Sequence, residues 1–282
     1  MNLPPSVERA LQCQPQAQTV RIDGTDVRFL TWNSQDSAKP ALLFAHGYRG
    51  HAHWWCPIAP FFTDRFRVYA PHFSGMGDSG WRTHYTHETF TRDLLEVMTH
   101  AGLTTARLVG HSFGGSAVLR AAVAAPERVE HAIVIDTLIR FPDTDQEPAA
   151  LRFGRSGPAP DYASIRARYR LLPEQPVVHP ELLEFVAHHS IRAVAGGWSW
   201  KFDPRLPFAP GAMLSGAVLP TVGVPTDYIY GDLSAIVDAA RAQRIAANLQ
   251  RTRAPVAIPD AHHHIMLDQP LALVTALHAL LA

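Results

Sequence analysis

Cysteine is scarce in this sequence. Only Cys13 and Cys56 occur, far apart and in no C-x-x-C arrangement. A disulfide framework is therefore not indicated, and a reducing compartment is the simpler expectation. Charge is also scarce. Lys, Arg, Asp and Glu make up 18% of the chain and cancel to a formal net charge of zero. That leaves neither the basic footprint of a nucleic-acid binder nor a polybasic membrane anchor. No acidic solvating tail is present. No run of about 18 apolar residues exists to span a bilayer. The opening MNLPPSVERALQ lacks the basic start and apolar core of a signal peptide. No internal repeat is visible. The expectation is a soluble, cytoplasmic globular protein that meets a small-molecule substrate, with no nucleic-acid or membrane partner; oligomeric state is left open.

At 282 residues the chain is long enough to bury a core without staples. Short apolar runs alternate with helical spacing. TVRID and DVRFLTWN read as a hairpin about Gly24. ALLFA (41–45), RVYA (67–70), ARLVG (106–110), AIVID (132–136), TDYIY (226–230) and APVAI (254–258) read as strands. Their near-continuous apolar character fits burial on both faces. Helices are predicted over His87–His100, stopped by Gly102, over Gly114–Ala125, stopped by Pro126, over Ala235–Leu249 and over Leu267–Ala282. This alternation argues an α/β class with a mostly parallel, doubly wound sheet. From about Phe141 to Thr221 no buried strand is expected. Two helices, Tyr162–Leu171 and Glu181–Val194, suggest an inserted helical lid over 139–221, with 1–138 and 222–282 forming the core domain. A structureless loop of that length would be unusual in a compact domain.

Gly110-His111-Ser112-Phe113-Gly114 is a G-x-S-x-G placed between a predicted strand and a predicted helix. Such a turn holds a serine in a strained, exposed position, with a helix N-terminus beneath it that favours negative charge. A second glycine motif, Gly75-Met76-Gly77-Asp78-Ser79-Gly80, has the spacing of a dinucleotide fingerprint. No helical pattern starts until His87, so it reads as a tight turn, and no cofactor is expected.

The strand–serine–helix segment, with FAHGYRG upstream and HHHIMLDQP downstream, resembles the α/β-hydrolase fold family, in a serine hydrolase branch that carries its acid after the sixth strand. The resemblance implies an eight-stranded sheet and the chain order serine, acid, histidine. It implies Ser112 as nucleophile and an oxyanion hole from the N–H groups of Tyr48, after His46-Gly47, and Phe113. In PDAHHHIMLDQP the base is His263 if His262 occupies the family's glycine position; a slip of one would make it His262 or His264. Three adjacent histidines diverge on an extended loop, and His51-Ala52-His53 lacks supporting acids, so no metal site is expected.

The family's usual acid position after the seventh strand is held by Ser234 in YGDLSAIV. Asp136, at the end of AIVID, and Asp232 are the replacements, with Asp136 favoured because α/β active sites gather at strand C-termini. In that reading Asp232 caps a turn and Ser234 is an N-cap.

The implied activity is cleavage of a carboxylic ester, thioester or lactone of a small apolar or aromatic acyl group through an acyl-enzyme. A carbon–carbon bond hydrolase of aromatic-degradation diketones and a non-catalytic ligand receptor remain alternatives. Trp54, Trp55, Trp198, Trp200, Phe202 and Phe208 are candidate pocket residues, though aromatics more often pack the core. The five arginines between Arg152 and Arg170 more often mark a solvated face than a carboxylate site.

Overall fold

The computed structural model describes residues 3–145, 157–206 and 214–282. A helix α1 (Pro5–Gln12), which the sequence pattern did not announce, precedes the hairpin β1 (Gln16–Ile22) and β2 (Thr25–Trp32). The alternation then runs β3 (Ala41–Ala45), β4 (Arg67–Pro71), α2 (His87–His100), β5 (Ala106–His111), α3 (Phe113–Ala124) and β6 (Val129–Ile135). After an excursion come β7 (Ile139–Arg140), α4 (Tyr162–Arg166), α5 (Pro180–His189), β8 (Ile191–Val194), β9 (Gly197–Trp200) and β10 (Leu214–Ser215). The chain returns through β11 (Thr226–Gly231), α6 (Ala239–Asn248), β12 (Val256–Ile258), α7 (Ile265–Asp268) and α8 (Pro270–Leu280).

Eight strands form the main sheet in the order β1-β2-β4-β3-β5-β6-β11-β12. Only the β1–β2 and β2–β4 pairs are antiparallel. β3 is buried at every position, as its unbroken apolar run required. One core packs α2, α3 and α6 on one face through Leu94, Val118 and Ile245. The other packs α1, α7 and α8 on the opposite face through Val7, Met266 and Leu277.

Several helix limits differ from those the sequence suggested. α6 starts at Ala239 because Asp238 Oδ1 caps the N–H of Arg241 at 2.7 Å. The last helix is split, with α7 ending at Asp268 and Pro270 opening α8. Over its described residues, the excursion between β6 and β11 is less helical than expected. α4 is five residues long. α5 stops at His189, and Ile191–Val194, assigned above to the same helix, forms an antiparallel hairpin with β9. The residues there, Ile, Val and Trp, suit a strand, and Gly196 (φ 80°) supplies the turn.

This excursion lies on the core at several points. Tyr48 Oη donates to the carbonyl of Leu206 at 2.9 Å, Tyr85 Oη to Asp203 at 2.8 Å, and Lys201 pairs with Asp78 at 2.6 Å. Among the described residues no helix is long and apolar enough to cross a membrane.

Candidate active site

Ser112 stands between β5 and α3 with φ 54° and ψ −119°. A non-glycine residue there is strained, at a cost of order 1–3 kcal/mol. The surrounding glycines show what holds it. A β-carbon at Gly110 would stand 2.4 Å from the carbonyl oxygen of Gly114, and one at Gly114 would stand 2.3 Å from that of Ala45. The turn is thus pressed against the end of β3, with no room for side chains. Gly114→Ala, normally a stabilising change in a helix, is expected here to cost more than about 2 kcal/mol by overpacking. A urea melt of the variant checks this; an unchanged midpoint would refute the close approach.

Four long-range contacts assemble the site. His263 Nε2 lies 3.0 Å from Ser112 Oγ. His263 Nδ1 lies 2.6 Å from Asp136 Oδ2. Asp136 is fully buried at the end of β6, with φ 46°. Its Oδ1 accepts the N–H of Gly231 at 3.2 Å and its Oδ2 accepts the hydroxyl of Ser234 at 2.6 Å. Ser234, at the position where the sequence resemblance places an acid, therefore touches Asp136, the replacement that the sequence favours. Ser234 is not the N-cap of α6, and sequence reasoning missed its contact because it spans 98 positions. Asp232 is exposed and reaches neither histidine nor serine; its Oδ1 accepts from Ala261 N–H at 3.3 Å.

The three consecutive histidines have three separate partners. His262 uses its backbone N–H and Nδ1 on Asp268, at 2.9 and 3.1 Å. His264 puts its backbone N–H and Nδ1 on Gln175 Oε1, at 3.0 and 2.7 Å, and its ring packs on Trp54. Gln175 comes from the excursion and donates its Nε2 to both oxygens of Asp268. Only His263 faces the serine. Its carbonyl accepts the Nε2–H of His111 at 2.8 Å. Burial, and then the nearness of His263, pushes His111 and His264 well below the ordinary histidine range, so both stay neutral near pH 7.

The other expected residues are also placed. Phe113 is the first residue of α3, so its N–H has no partner within the helix. A β-carbon on Gly47 would stand 3.5 Å from Ser112 Cβ, which brings the Gly47–Tyr48 peptide beside the serine. The rings of Tyr48 and Phe113 meet at 5.8 Å, and Phe73 and Phe90 lie edge-on to Phe113 at 5.7 and 4.9 Å. Of the proposed pocket aromatics, Trp55 is core, stacked on Phe44. Trp198 and Trp200 pack on Tyr162 and Tyr169 within the excursion. Phe202 lies under the Arg49 guanidinium at 4.5 Å. Phe208, Arg152 and Arg155 lie outside the described residues. Arg166 pairs with Glu184, and Arg168 and Arg170 bond exposed carbonyls, as a solvated face would.

The Gly75–Gly80 segment is a turn closed by Gly75 N–H on the carbonyl of Gly80 at 2.8 Å, and α2 opens only at His87 behind its Thr86 cap. That turn brings Asp78 to His53 and His72, an acid that sequence inspection of the His51–His53 pair did not anticipate. Ligand atoms of the three lie within 4.8 Å of one another. The set suits a cation poorly. His72 Nδ1 accepts the N–H groups of Ala52 and Asp78 at 3.3 and 3.4 Å, which leaves the ring proton on Nε2, the nitrogen 3.9 Å from Asp78 Oδ2. Lys201 already holds the other carboxylate oxygen.

This cluster is expected instead to make the packed excursion acid-sensitive. His51 and His53 from the core, with His72 beside them, meet His189 of α5, with Lys201 adding charge and Asp78 opposing it. Burial first, then neighbouring positive charge, lowers His53 to about 3 and His189 to about 4, and holds His51 and His72 well down. The unfolded chain binds these protons near pH 6.5 and the folded chain does not, so stability is full above that pH and falls as pH drops below it. The protein is therefore expected to be less stable at pH 5 than at pH 7. Urea midpoints at the two pH values test this; equal midpoints would sink it.

The sequence profile described as alpha/beta hydrolase family matches residues 42–277. A carboxylesterase, YbfK of Bacillus subtilis (strain 168), is 27% identical over 241 residues, which cover 82% of this chain and 76% of that protein. A soluble epoxide hydrolase of Corynebacterium sp. (strain C12) is 29% identical over 130 residues, 44% of this chain. A fluoroacetate dehalogenase of a Burkholderia species is 29% identical over 116 residues, 38% of this chain. The matched stretches span 46% and 38% of those last two proteins. Among solved structures, the thioesterase domain from the curacin biosynthetic pathway superposes with a TM-score of 0.75 at 21% identity, covering 95% of this chain and 99% of that one. Naproxen esterase from Bacillus subtilis does so with a TM-score of 0.72 at 18% identity, covering 98% and 96%.

Proposed function

Because this chain belongs to the alpha/beta hydrolase family, we propose that it is a serine hydrolase of carboxylic esters or thioesters, with Ser112, His263 and Asp136 as its catalytic residues. One observation carries the reading: His263 bonds Ser112 Oγ through one ring nitrogen and a fully buried carboxylate through the other. A serine hydroxyl is a poor nucleophile until a base takes its proton. The Asp136 contact holds the His263 proton on Nδ1 and leaves Nε2 to accept.

In the proposed sequence Ser112 Oγ attacks the acyl carbon and its proton passes to His263 Nε2. The carbonyl oxygen becomes an anion held by the N–H groups of Phe113 and Tyr48; one such donor is worth about 3 kcal/mol. His263 then protonates the departing alkoxide or thiolate. Water attacks the acyl-enzyme and gives a proton to His263 Nε2, which passes it to Ser112 Oγ as the acyl C–O bond breaks, releasing the acid and free serine. Epoxide hydrolase and dehalogenase chemistry, named among the relatives, needs an aspartate where Ser112 stands.

We assign 139–221 as a lid on this site. The Tyr48–Leu206 bond and the seating of Gln175 on His264 and Asp268 support that assignment. The half-buried rings of Tyr48 and Phe113, which meet next to the serine turn and are backed by the buried Phe73 and Phe90, favour a small apolar or aromatic acyl group. p-Nitrophenyl esters from acetate to dodecanoate test the reading. Hydrolysis that is lost in Ser112→Ala, with an optimum at short chains, is expected. Equal rates with and without the serine would overturn it.

A further inference from the structure

We propose that Ser234 is a positioning residue for the hydrolytic site, holding Asp136 in the orientation and charge state that His263 requires. The proposal rests on the serine-hydrolase reading above. It starts from the inventory of one hydroxyl, which has one proton and two lone pairs. Ser234 Oγ accepts the N–H groups of Ile236 at 3.1 Å and Val237 at 3.3 Å. Both lone pairs are engaged, so the single proton is directed at the remaining neighbour, Asp136 Oδ2, at 2.6 Å. The backbone fixes this arrangement further, because Ser234 N–H closes a turn on the carbonyl of Gly231. Gly231 in turn donates its own N–H to Asp136 Oδ1.

Asp136 is thereby gripped at both oxygens by one short turn after β11. The oxygen that receives the Ser234 proton is the one that faces His263 Nδ1. Hydrogen bonds to a carboxylate are short and strong. This one does two things. It sets the plane of a carboxyl group on a residue whose backbone is already in the left-handed region, φ 46°. It also disperses negative charge from Oδ2, which moderates the pull of Asp136 on the imidazole proton. A site whose acid sits at the end of β6 and whose β11 turn keeps a hydroxyl thus draws on both strands.

The test compares wild type, Ser234→Ala, Ser234→Thr and Ser112→Ala on p-nitrophenyl butyrate across pH. It adds the downfield proton resonance of His263 Nδ1–H, identified by its loss in His263→Ala, which needs no substrate. In Ser234→Ala kcat is expected to fall about 10- to 100-fold, the loss typical of a hydrogen bond to a charged group, with KM little changed. The acid limb of the kcat/KM profile moves to higher pH, because the undispersed carboxylate favours the protonated ring. The resonance shifts or broadens. Ser234→Thr, which keeps the hydroxyl, retains the wild-type limb and resonance.

Wild-type kinetics and resonance in Ser234→Ala, with Ser112→Ala inactive, would overturn the proposal and leave the hydrolase reading standing. Equal losses in Ser234→Ala and Ser234→Thr with an unmoved pH limb and an unmoved resonance would reduce Ser234 to a turn former and also overturn it. If Ser112→Ala matched wild type on the ester, the hydrolase reading would fall, and the resonance alone would decide whether Ser234 holds Asp136.

Discussion

Replacing Ser112 with alanine is expected to lower kcat/KM for p-nitrophenyl esters by about 10⁵- to 10⁶-fold, and replacing it with glycine is expected to do the same while making the protein more stable. The first half follows from the proposed chemistry. Without Oγ there is no acyl-enzyme, and only the oxyanion donors and substrate binding remain to assist water. The second half follows from the backbone. At φ 54°, ψ −119° a side chain at 112 is strained by about 1–3 kcal/mol. Alanine keeps the β-carbon and the strain; glycine removes both. Against that relief stands the extra chain entropy of glycine, about 0.5–1 kcal/mol. A net gain near 1 kcal/mol corresponds to a rise in Tm of about 2–4 °C in a chain of this size. Calorimetry of the three proteins decides it. A glycine variant that melts at or below the alanine variant would show that the turn stores no strain.

Asp136→Asn is expected to reduce kcat by about 10⁴-fold with the fold intact, and Asp232→Asn to change it less than about twofold. Asp136 Oδ2 accepts from both His263 Nδ1 and Ser234 Oγ. An asparagine that turns its oxygen there keeps the contacts but loses the charge that stabilises a protonated His263. One that turns its amide there forces the imidazole proton onto Nε2, the atom that must accept from the serine. Asp232 is exposed and accepts one long bond from Ala261 N–H. Rates on a p-nitrophenyl ester, with circular dichroism as the control for folding, separate the two. A collapse of rate in Asp232→Asn with Asp136→Asn active would reverse the assignment of the acid.

The site was legible in uneven degrees. G-x-S-x-G could be read because its glycines answer a local demand, the approach of β3 to the serine turn, and because its strand and helix adjoin it in sequence. The histidine run narrowed the base to three adjacent residues. Asp136 could be ranked above Asp232 from its place at a strand end. Beyond that the pattern was silent. Ser234 lies 98 residues from Asp136 and Gln175 lies 89 from His264. Asp78 sits inside a glycine turn that points to no histidine. The hairpin of β8 and β9 differs from the helix that the sequence predicts there, because a short apolar run following a helix has no period of its own to mark the change.

What the sequence alone determined is the layered α/β sheet and the strand–turn–helix that carries Ser112. Apolar strand runs demand burial on both faces, and a turn with glycine at both ends tolerates close backbone on both sides. These are constraints that neighbouring residues impose on one another. Tertiary structure fixed what the sequence could only rank, that His263 of the three histidines faces Ser112 and that Asp136 faces His263, and it alone decided what Ser234 touches in the place where an acid was expected. Each of those outcomes depends on side chains brought within about 3 Å by strands that are adjacent in the sheet and remote in the chain. No local pattern encodes a register of that kind, because hydrogen-bond partners are set by where the backbone ends up.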